Sequence, residues 1–488
     1  MNIALRRAAY AILTAFVVLA VSVTYIQVIA GPDLRDDPRN PRVAAWRTGR
    51  QRGPIVSAEG QILALSTPSP DDPKLYERAY PEGGLYAHTV GFTSVLYGSQ
   101  GIERTHATDL VSNRDATISG VLHGLLGGDT RPRGVRLTLQ HTLQTVAAAA
   151  LGQQRGSIVA LDPTTGAILA MVTFPTFDPN DLVGANAFAA GEALENDPDE
   201  PLRNRAIDQT YPPGSIFKVV TTTSGLDTGL VNASSEFPDP VALALVGTDS
   251  TIRNSNARVC HDGVSVTLEH AFIKSCNTVF AQLGIDLGGD QLGRTSAAFG
   301  FNTAVPFDFD VLTSFFPRQG TIQNDPAATA QSAIGQRDVQ ATPLLMALVA
   351  GAVANNGTVM VPYLVEEVFT SDGVIESDAE PTIWRRALSP ASAAVLSDLM
   401  EQVVISGTGR GATVPGVRIA GKTGTSEIAG EAPHAWFIGF GPVGAKPGEP
   451  RIAIAVIVES GGDFGESATG GTVAAPIAQQ VLAAFFGI

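Results

Sequence analysis

Lysine is the scarcest charged side chain in this 488-residue sequence. Lys74, Lys218, Lys274, Lys422 and Lys446 stand against 27 arginines. Arginine cannot lose its proton in a protein, so a cationic residue acting as a base must be one of these five. Cysteine is scarcer still, with only Cys260 and Cys276, too few for a four-cysteine zinc site. The chain has no His-Glu-x-x-His, no phosphate-binding glycine loop and no Gly-x-Ser-x-Gly elbow. It therefore gives no reason to expect a metal or a cofactor. It also lacks internal repeats, low-complexity tracts and any basic stripe interleaved with aromatics. The net charge is −15, and beyond residue 55 only 24 basic side chains stand against 44 acidic ones. Such a body repels nucleic acid and anionic lipid.

What the chain does have begins with Arg6 and Arg7, followed by Ala8–Ala30 without a charge. That run suffices for one membrane span. It is long for the core of a cleaved signal, and Val28-Ile29-Ala30 is not a small-x-small cleavage site. The expectation is an uncleaved anchor over 8–30, with residues 1–7 inside the cytoplasm and the body outside it. Residues 31–52 read as a polar juxtamembrane linker. Apolar runs either side of Gly60 predict a hairpin. Tyr80–Arg104 reads as surface loops and short strands with no chemistry of its own.

The main domain boundary is placed near 135, giving a linker and small extended N-terminal domain over 31–135 and a large domain over 136–488. Val135–Leu139 reads as a strand and Gln140–Leu151 as a helix. Gly156–Leu161 and Ala167–Thr173 form a second hairpin around Asp162-Pro163-Thr164-Thr165-Gly166. Asp178–Arg203 and Asp227–Asn256 read as loop-like and irregular. Helical patterns cover Leu268–Leu283, Ala327–Asn356, Pro390–Ile405 and Thr472–Phe486. Val417–Thr425, Ala435–Phe440 and Arg451–Glu459 read as strands. The class is α+β, a sheet covered by helices.

Three short motifs carry the chemistry. Ser215-Ile216-Phe217-Lys218 follows a Tyr211-Pro212-Pro213-Gly214 turn and opens an apolar helical run. Residues three apart share a helix face, so Lys218 is expected beneath the Ser215 hydroxyl, where a neutral lysine is a built-in base. No second Ser-x-x-Lys occurs in the chain. Ser275-Cys276-Asn277 interrupts a helical pattern. Ser275 and Asn277 diverge on a regular helix, so both reach a cleft only if the segment breaks into a turn. Lys422-Thr423-Gly424 lies on a predicted strand, where the glycine lets a substrate backbone lie close as an added strand. Each motif alone has an ordinary reading as a polar turn, a helix cap or a strand end. Their order and placement together are specific. Ser215 then attacks a carbonyl, with Lys218 taking its proton and Lys422 supplying a cation that lowers the Lys218 pKa. Ser275 passes a proton to the leaving amine and Asn277 holds the substrate amide. The Ser215 and Thr425 amides serve as oxyanion donors, and Lys422, Thr423 and Thr425 suit a carboxylate.

This set is a signature shared by penicillin-binding proteins and class A β-lactamases. Over almost its whole length the sequence resembles a class B penicillin-binding protein, closest to the short actinobacterial penicillin-binding protein A type. The flanking matches include Arg52-Gly53-x-Ile55, Gly101-Ile102-Glu103, Phe177-Asp178-Pro179-Asn180, Ile334-Gly335-Gln336 and Pro433-His434-Ala435-Trp436. Two stretches depart from the family pattern. Ser57-Ala58-Glu59-Gly60 stands where Asp-Arg-x-Gly is frequent, and Leu137-Thr138-Leu139-Gln140 stands where Leu-Thr-Ile-Asp is usual. The resemblance implies a β-rich pedestal, then a transpeptidase domain with a helical subdomain and a five-stranded antiparallel sheet flanked by helices. It implies cross-linking of peptidoglycan stem peptides through an acyl-Ser215 formed at D-Ala-D-Ala, and inhibition by β-lactams. Partners implied are a membrane glycan polymerase and elongation or division proteins. Within the second motif, a Cys260–Cys276 disulfide would brace the Ser275 turn, and two free thiols are the alternative.

Rival readings share parts of this constellation. A D,D-carboxypeptidase or β-lactamase sends the acyl group to water, but no glutamate suited to fast deacylation is evident between Asn277 and Lys422. A β-lactam sensor needs a cytoplasmic signalling domain or further spans, and seven residues precede the anchor. A structural division protein with a dead site would not need Ser215, Lys218, Ser275, Asn277 and Lys422 all intact.

Overall fold

A computed structural model describes residues 3–26, 49–70, 72, 75–111, 131–184, 186–255, 257–428, 430–446 and 448–488. Helix α1 (Ile3–Thr24) is long and apolar enough to cross a membrane. At 1.5 Å per residue it spans about 33 Å. The predicted anchor continues to Ala30, but 27–30 and most of the predicted linker lie outside the described residues.

The N-terminal strands are β1 (Ile55–Val56), β2 (Ile62–Pro68), β3 (Tyr76–Ala79) and β4 (Gly134–Leu137). The Gly60 hairpin forms as expected, pairing Ile55 with Ala64. The reading of Tyr80–Arg104 as plain surface needs correction. Glu103 is fully buried there between Arg52 and Arg78, with Arg52 Nε 2.7 Å and Arg78 Nε 2.5 Å from its carboxylate. Burial alone would raise the Glu103 pKa, but the two guanidiniums hold it below its ordinary value.

The larger part continues with α2 (His141–Leu151), β5 (Gly156–Leu161), β6 (Ile168–Phe174), α3 (Lys218–Asp227), β7 (Ala242–Ala244), β8 (Thr251–Arg253), α4 (Leu268–Lys274) and α5 (Asn277–Leu287). Then follow α6 (Pro326–Ala333), α7 (Pro343–Ala354), β9 (Val365–Phe369), β10 (Ile375–Asp378), α8 (Pro390–Ser406), β11 (Ala420–Ile428), β12 (Glu431–Gly441), β13 (Ile452–Val458) and α9 (Ala475–Phe485). Two stretches depart from expectation. Residues 178–203 include a helix, Ala187–Glu195. Gly191 weakens its helical signature, and the reason lies in packing: a Cβ there would stand 2.2 Å from the Tyr97 ring. Residues 227–256 carry the β7–β8 ribbon.

The central sheet is antiparallel throughout, in the order β11-β12-β13-β5-β6. Every residue of β13 is buried, because both faces are covered. Alternation divides its side chains. Ala453, Ala455 and Ile457 join the core containing α7, in which every residue from Pro343 to Val353 is buried. Ile452, Ile454, Val456 and Val458 join the core formed with α2 and α9. β11 lies at the sheet edge, so its outer backbone is free to pair.

The second sheet has the order β10-β9-β4-β1-β2-β3. Two of its strands come from residues 365–378, far beyond the boundary read near 135. The chain thus returns to the N-terminal sheet before completing the central one.

Candidate active site

Ser215 does not occupy a helix N-cap. It sits inside a 3-10 turn, Gly214–Phe217, that runs directly into α3, and its hydroxyl makes no hydrogen bond among the described residues. The turn is fixed from both sides. Gly214 has φ +54°, and a Cβ there would come within 2.7 Å of Thr425 O and 2.8 Å of Ser426 Oγ. Its N–H donates to Gly335 O at 2.8 Å. The preceding carbonyl, Pro212 O, accepts from Ser426 Oγ (2.5 Å) and Trp436 Nε1 (3.1 Å). Tyr211 packs edge-on against Trp436 and donates from its hydroxyl to Glu459 at 2.6 Å. The same Glu459 oxygen accepts from the buried Arg205 at 2.9 Å. The Arg205–Glu459 support was not foreseen, because its members lie 254 residues apart.

Lys218 lies one turn after Ser215, as the spacing predicts, but its amine meets the second motif. Nζ is 2.7 Å from Ser275 O, 2.8 Å from Asn277 Oδ1 and 3.3 Å from Ser275 Oγ. The predicted break is present. α4 ends at Lys274, Ser275 adopts a left-handed conformation (φ 62°, ψ 42°), and α5 starts at Asn277. One left-handed residue turns both side chains to the same lysine. Cys276 pairs with Cys260 in a disulfide that ties this turn to the loop after β8.

Lys422 approaches from β11 and donates to Ser275 Oγ at 2.8 Å and to Thr423 O at 3.1 Å. Both lysines are fully buried. Nζ of Lys218 lies 5.4 Å from the Phe280 ring centre, and that of Lys422 lies 5.7 Å from Phe272. Burial first, and then the Lys422 charge, push the Lys218 pKa well below the usual lysine value. Burial pushes Lys422 down to about 7. The arrangement can hold a neutral amine beside a cation and link both to one hydroxyl.

The other β11 residues are placed differently from expectation. Alternation turns Thr423 and Thr425 to the face opposite Lys422. The Thr423 hydroxyl is 2.5 Å from that of Thr408, and the Gly470 N–H lies 3.4 Å from Thr425 Oγ1. A side chain at Gly424 would press on the Ser215 turn, with Cβ 2.9 Å from Pro213 O and 3.1 Å from Ile216. Glycine is therefore required here for packing inside the protein.

Residues 156–483 match the family model described as the penicillin binding protein transpeptidase domain. Residues 52–135 match the penicillin binding protein A dimerisation domain. The chain is 43% identical to peptidoglycan D,D-transpeptidase PbpA of Mycolicibacterium smegmatis and 39% identical to that of Mycobacterium tuberculosis, covering 99% of both partners in each case. Among solved structures, the ceftriaxone acyl-enzyme of penicillin-binding protein A from M. tuberculosis aligns with TM-score 0.82 and 39% identity, over 90% of this chain and 99% of that one. The imipenem acyl-enzyme of the same protein aligns with TM-score 0.81 and 38% identity, over 90% and 100%.

Proposed function

The chain belongs to the penicillin-binding protein transpeptidase family and is a peptidoglycan D,D-transpeptidase, and we propose that Ser215 is its nucleophile and Lys218 the base that activates it. The observation that carries this assignment is the hydrogen-bonding of Lys218. Ser275 O and Asn277 Oδ1 can only accept, so they take up two of its N–H directions. The third contact, Ser275 Oγ at 3.3 Å, is with a hydroxyl that can also donate, so it can serve a lone pair when the third proton is lost, and burial favours that neutral form.

In the proposed reaction, Ser215 Oγ bonds to the carbonyl carbon of the penultimate D-alanine and its proton passes to Lys218. The Ser215 and Thr425 amides hold the oxyanion. Ser275, bonded to both lysines, relays the proton to the departing D-alanine nitrogen as the peptide C–N bond breaks. The amine of a second stem peptide then attacks the acyl-enzyme and frees Ser215. Asn277 has one amide hydrogen left for the donor peptide, because the other bonds Arg253 O at 2.9 Å. The peptide lies along the free edge of β11, beside Thr423, Gly424 and Thr425. The part-exposed Thr425 receives its carboxylate, while the buried Lys422 acts from the opposite face through Ser275. β-Lactams enter the same site and acylate Ser215.

The proposal extends to cellular placement. Residues 8–30 anchor the protein, 1–7 stay in the cytoplasm, and the 31–135 and 136–488 regions work outside it. The N-terminal region is proposed to meet a membrane glycan polymerase and elongation or division proteins. Mass spectrometry after incubation with labelled penicillin tests the chemistry. The expected adduct maps to Ser215 and is absent from Ser215→Ala. An unlabelled wild type, or the same adduct on the variant, refutes the assignment.

A further inference from the structure

The three motifs do not hold themselves in place. Cys276 is the N-cap residue of α5, and it makes no side-chain cap, because its sulfur is committed to Cys260. The first N–H groups of a helix have no partner within it. Here a residue from another element supplies one. Asn254, at the end of β8 and 7% exposed, places its Oδ1 2.8 Å from Asn277 N, 3.2 Å from Thr278 N and 3.4 Å from Thr278 Oγ1. Its Nδ2 donates to Arg258 O at 3.0 Å, which fixes the orientation of the amide. The preceding carbonyl, Arg253 O, accepts from Asn277 Nδ2. That bond leaves Asn277 Oδ1, not Nδ2, facing Lys218.

We propose that Asn254, which lies outside all three motifs, is a positioning residue for acylation: it caps α5 and thereby sets the Ser275–Asn277 turn at the distance where Asn277 Oδ1 and Ser275 O meet Lys218. The inference rests on the assignment of Ser215 and Lys218 above. Together with the Arg253 carbonyl and the Cys260–Cys276 link, Asn254 makes the β8 segment a clamp on the second motif. A lost cap lets that turn drift, and small displacements at a catalytic group cost on the order of 10- to 100-fold in rate.

The test compares second-order acylation by a fluorescent penicillin in wild type, Asn254→Ala and Asn254→Asp. The same three proteins are followed by thermal melting and by amide hydrogen exchange at Asn277 and Thr278. Asn254→Ala is expected to acylate on the order of 10- to 100-fold more slowly, with protection lost at those two amides. Asn254→Asp keeps the acceptor and is expected to recover most of the rate. Its carboxylate also favours the protonated amine of Lys218, so the acid limb of the rate–pH profile moves to higher pH. Lys422 is the charged group facing Lys218, from β11. Asp239, Asp262, His261 and His270 lie on the loop after β8 and on the elements packed against it, and all are unchanged across the three proteins. A merely structural asparagine predicts slower acylation only in step with unfolding.

Acylation of a folded Asn254→Ala within twofold of wild type overturns the proposal. So does an Asn254→Asp protein that neither recovers rate nor shifts the limb, a result that decides the matter even if the alanine variant fails to fold. A wild type that forms no adduct overturns the Ser215 assignment instead, and exchange at Asn277 and Thr278 still reports whether Asn254 holds the turn.

Discussion

Replacing Lys422 with methionine should move the acid limb of acylation upward in pH. The two lysine nitrogens lie 3.3 and 2.8 Å from the same Ser275 hydroxyl. They are therefore no more than about 6 Å apart, where like unit charges repel by about 3 kcal/mol or more at an effective dielectric of about 20. That repulsion adds to burial in lowering the proton affinity of Lys218. The sign follows from which form acts. In the proposed mechanism acylation needs neutral Lys218, and a charged Lys422 helps to expel its proton. Burial holds Lys422 itself near 7, so it is charged, and the effect is full, only below that value. In Lys422→Met the burial contribution remains but the repulsion is gone, so Lys218 should keep its proton to higher pH. The assay is stopped-flow acylation by a fluorescent penicillin from about pH 5 to 10, a window spanning both lysines' perturbed range. The plateau should also fall, since Ser275 loses a donor, but the diagnostic quantity is the position of the limb. A limb that stays put or moves downward refutes the electrostatic role of Lys422.

Two further substitutions probe the scaffold. Glu103→Gln should destabilise the N-terminal sheet by about 3–5 kcal/mol, because it leaves Arg52 and Arg78 buried without a counter-charge. Its depressed pKa makes the wild-type contribution full above about 4.5, to be lost as pH falls through the folded-state value. Urea unfolding at neutral and acid pH checks both points, and a loss below about 1 kcal/mol at neutral pH would contradict the buried-charge argument. Gly335→Ala places a Cβ 2.3 Å from Gly214 O at φ +71°. It should cost about 1–3 kcal/mol and slow Ser215 acylation, and unchanged acylation in the folded variant would show that the Gly335 contact does not set the nucleophile turn.

Much of the site was legible because its chemistry demanded geometry. Helical spacing alone would have run one helix through Leu268–Leu283, yet Ser275 and Asn277 could share a cleft only across a break, and the left-handed Ser275 supplies it. The partners of Lys218 were less accessible. The i to i+3 spacing set Lys218 one turn beyond Ser215 and put its amine beneath the Ser215 hydroxyl, but the hydrogen bonds of that amine run to Ser275 and Asn277. The Ser215 turn escaped for a local reason: an apolar helical run opening at Ser215 reads as regular helix, whereas after the positive-φ Gly214 the chain passes through a 3-10 turn before α3 begins at Lys218.

The longest-range features were hidden by sequence distance. Nothing near 365–378 announces that Val365–Phe369 will pair with Gly134–Leu137 and carry Ile375–Asp378 as the outer strand, because an edge strand with exposed Ile375 and acidic neighbours looks the same beside any sheet. Gly424 shows the same limit at the centre of the site. A glycine in such a strand invites a ligand-based explanation, and β11 does lie at the edge of its sheet. Yet the atoms that forbid a side chain belong to Pro213 and Ile216, on the turn carrying Ser215. Any larger residue at position 424 should therefore displace the Ser215 turn even in the empty enzyme, coupling β11 to the proposed nucleophile through packing alone.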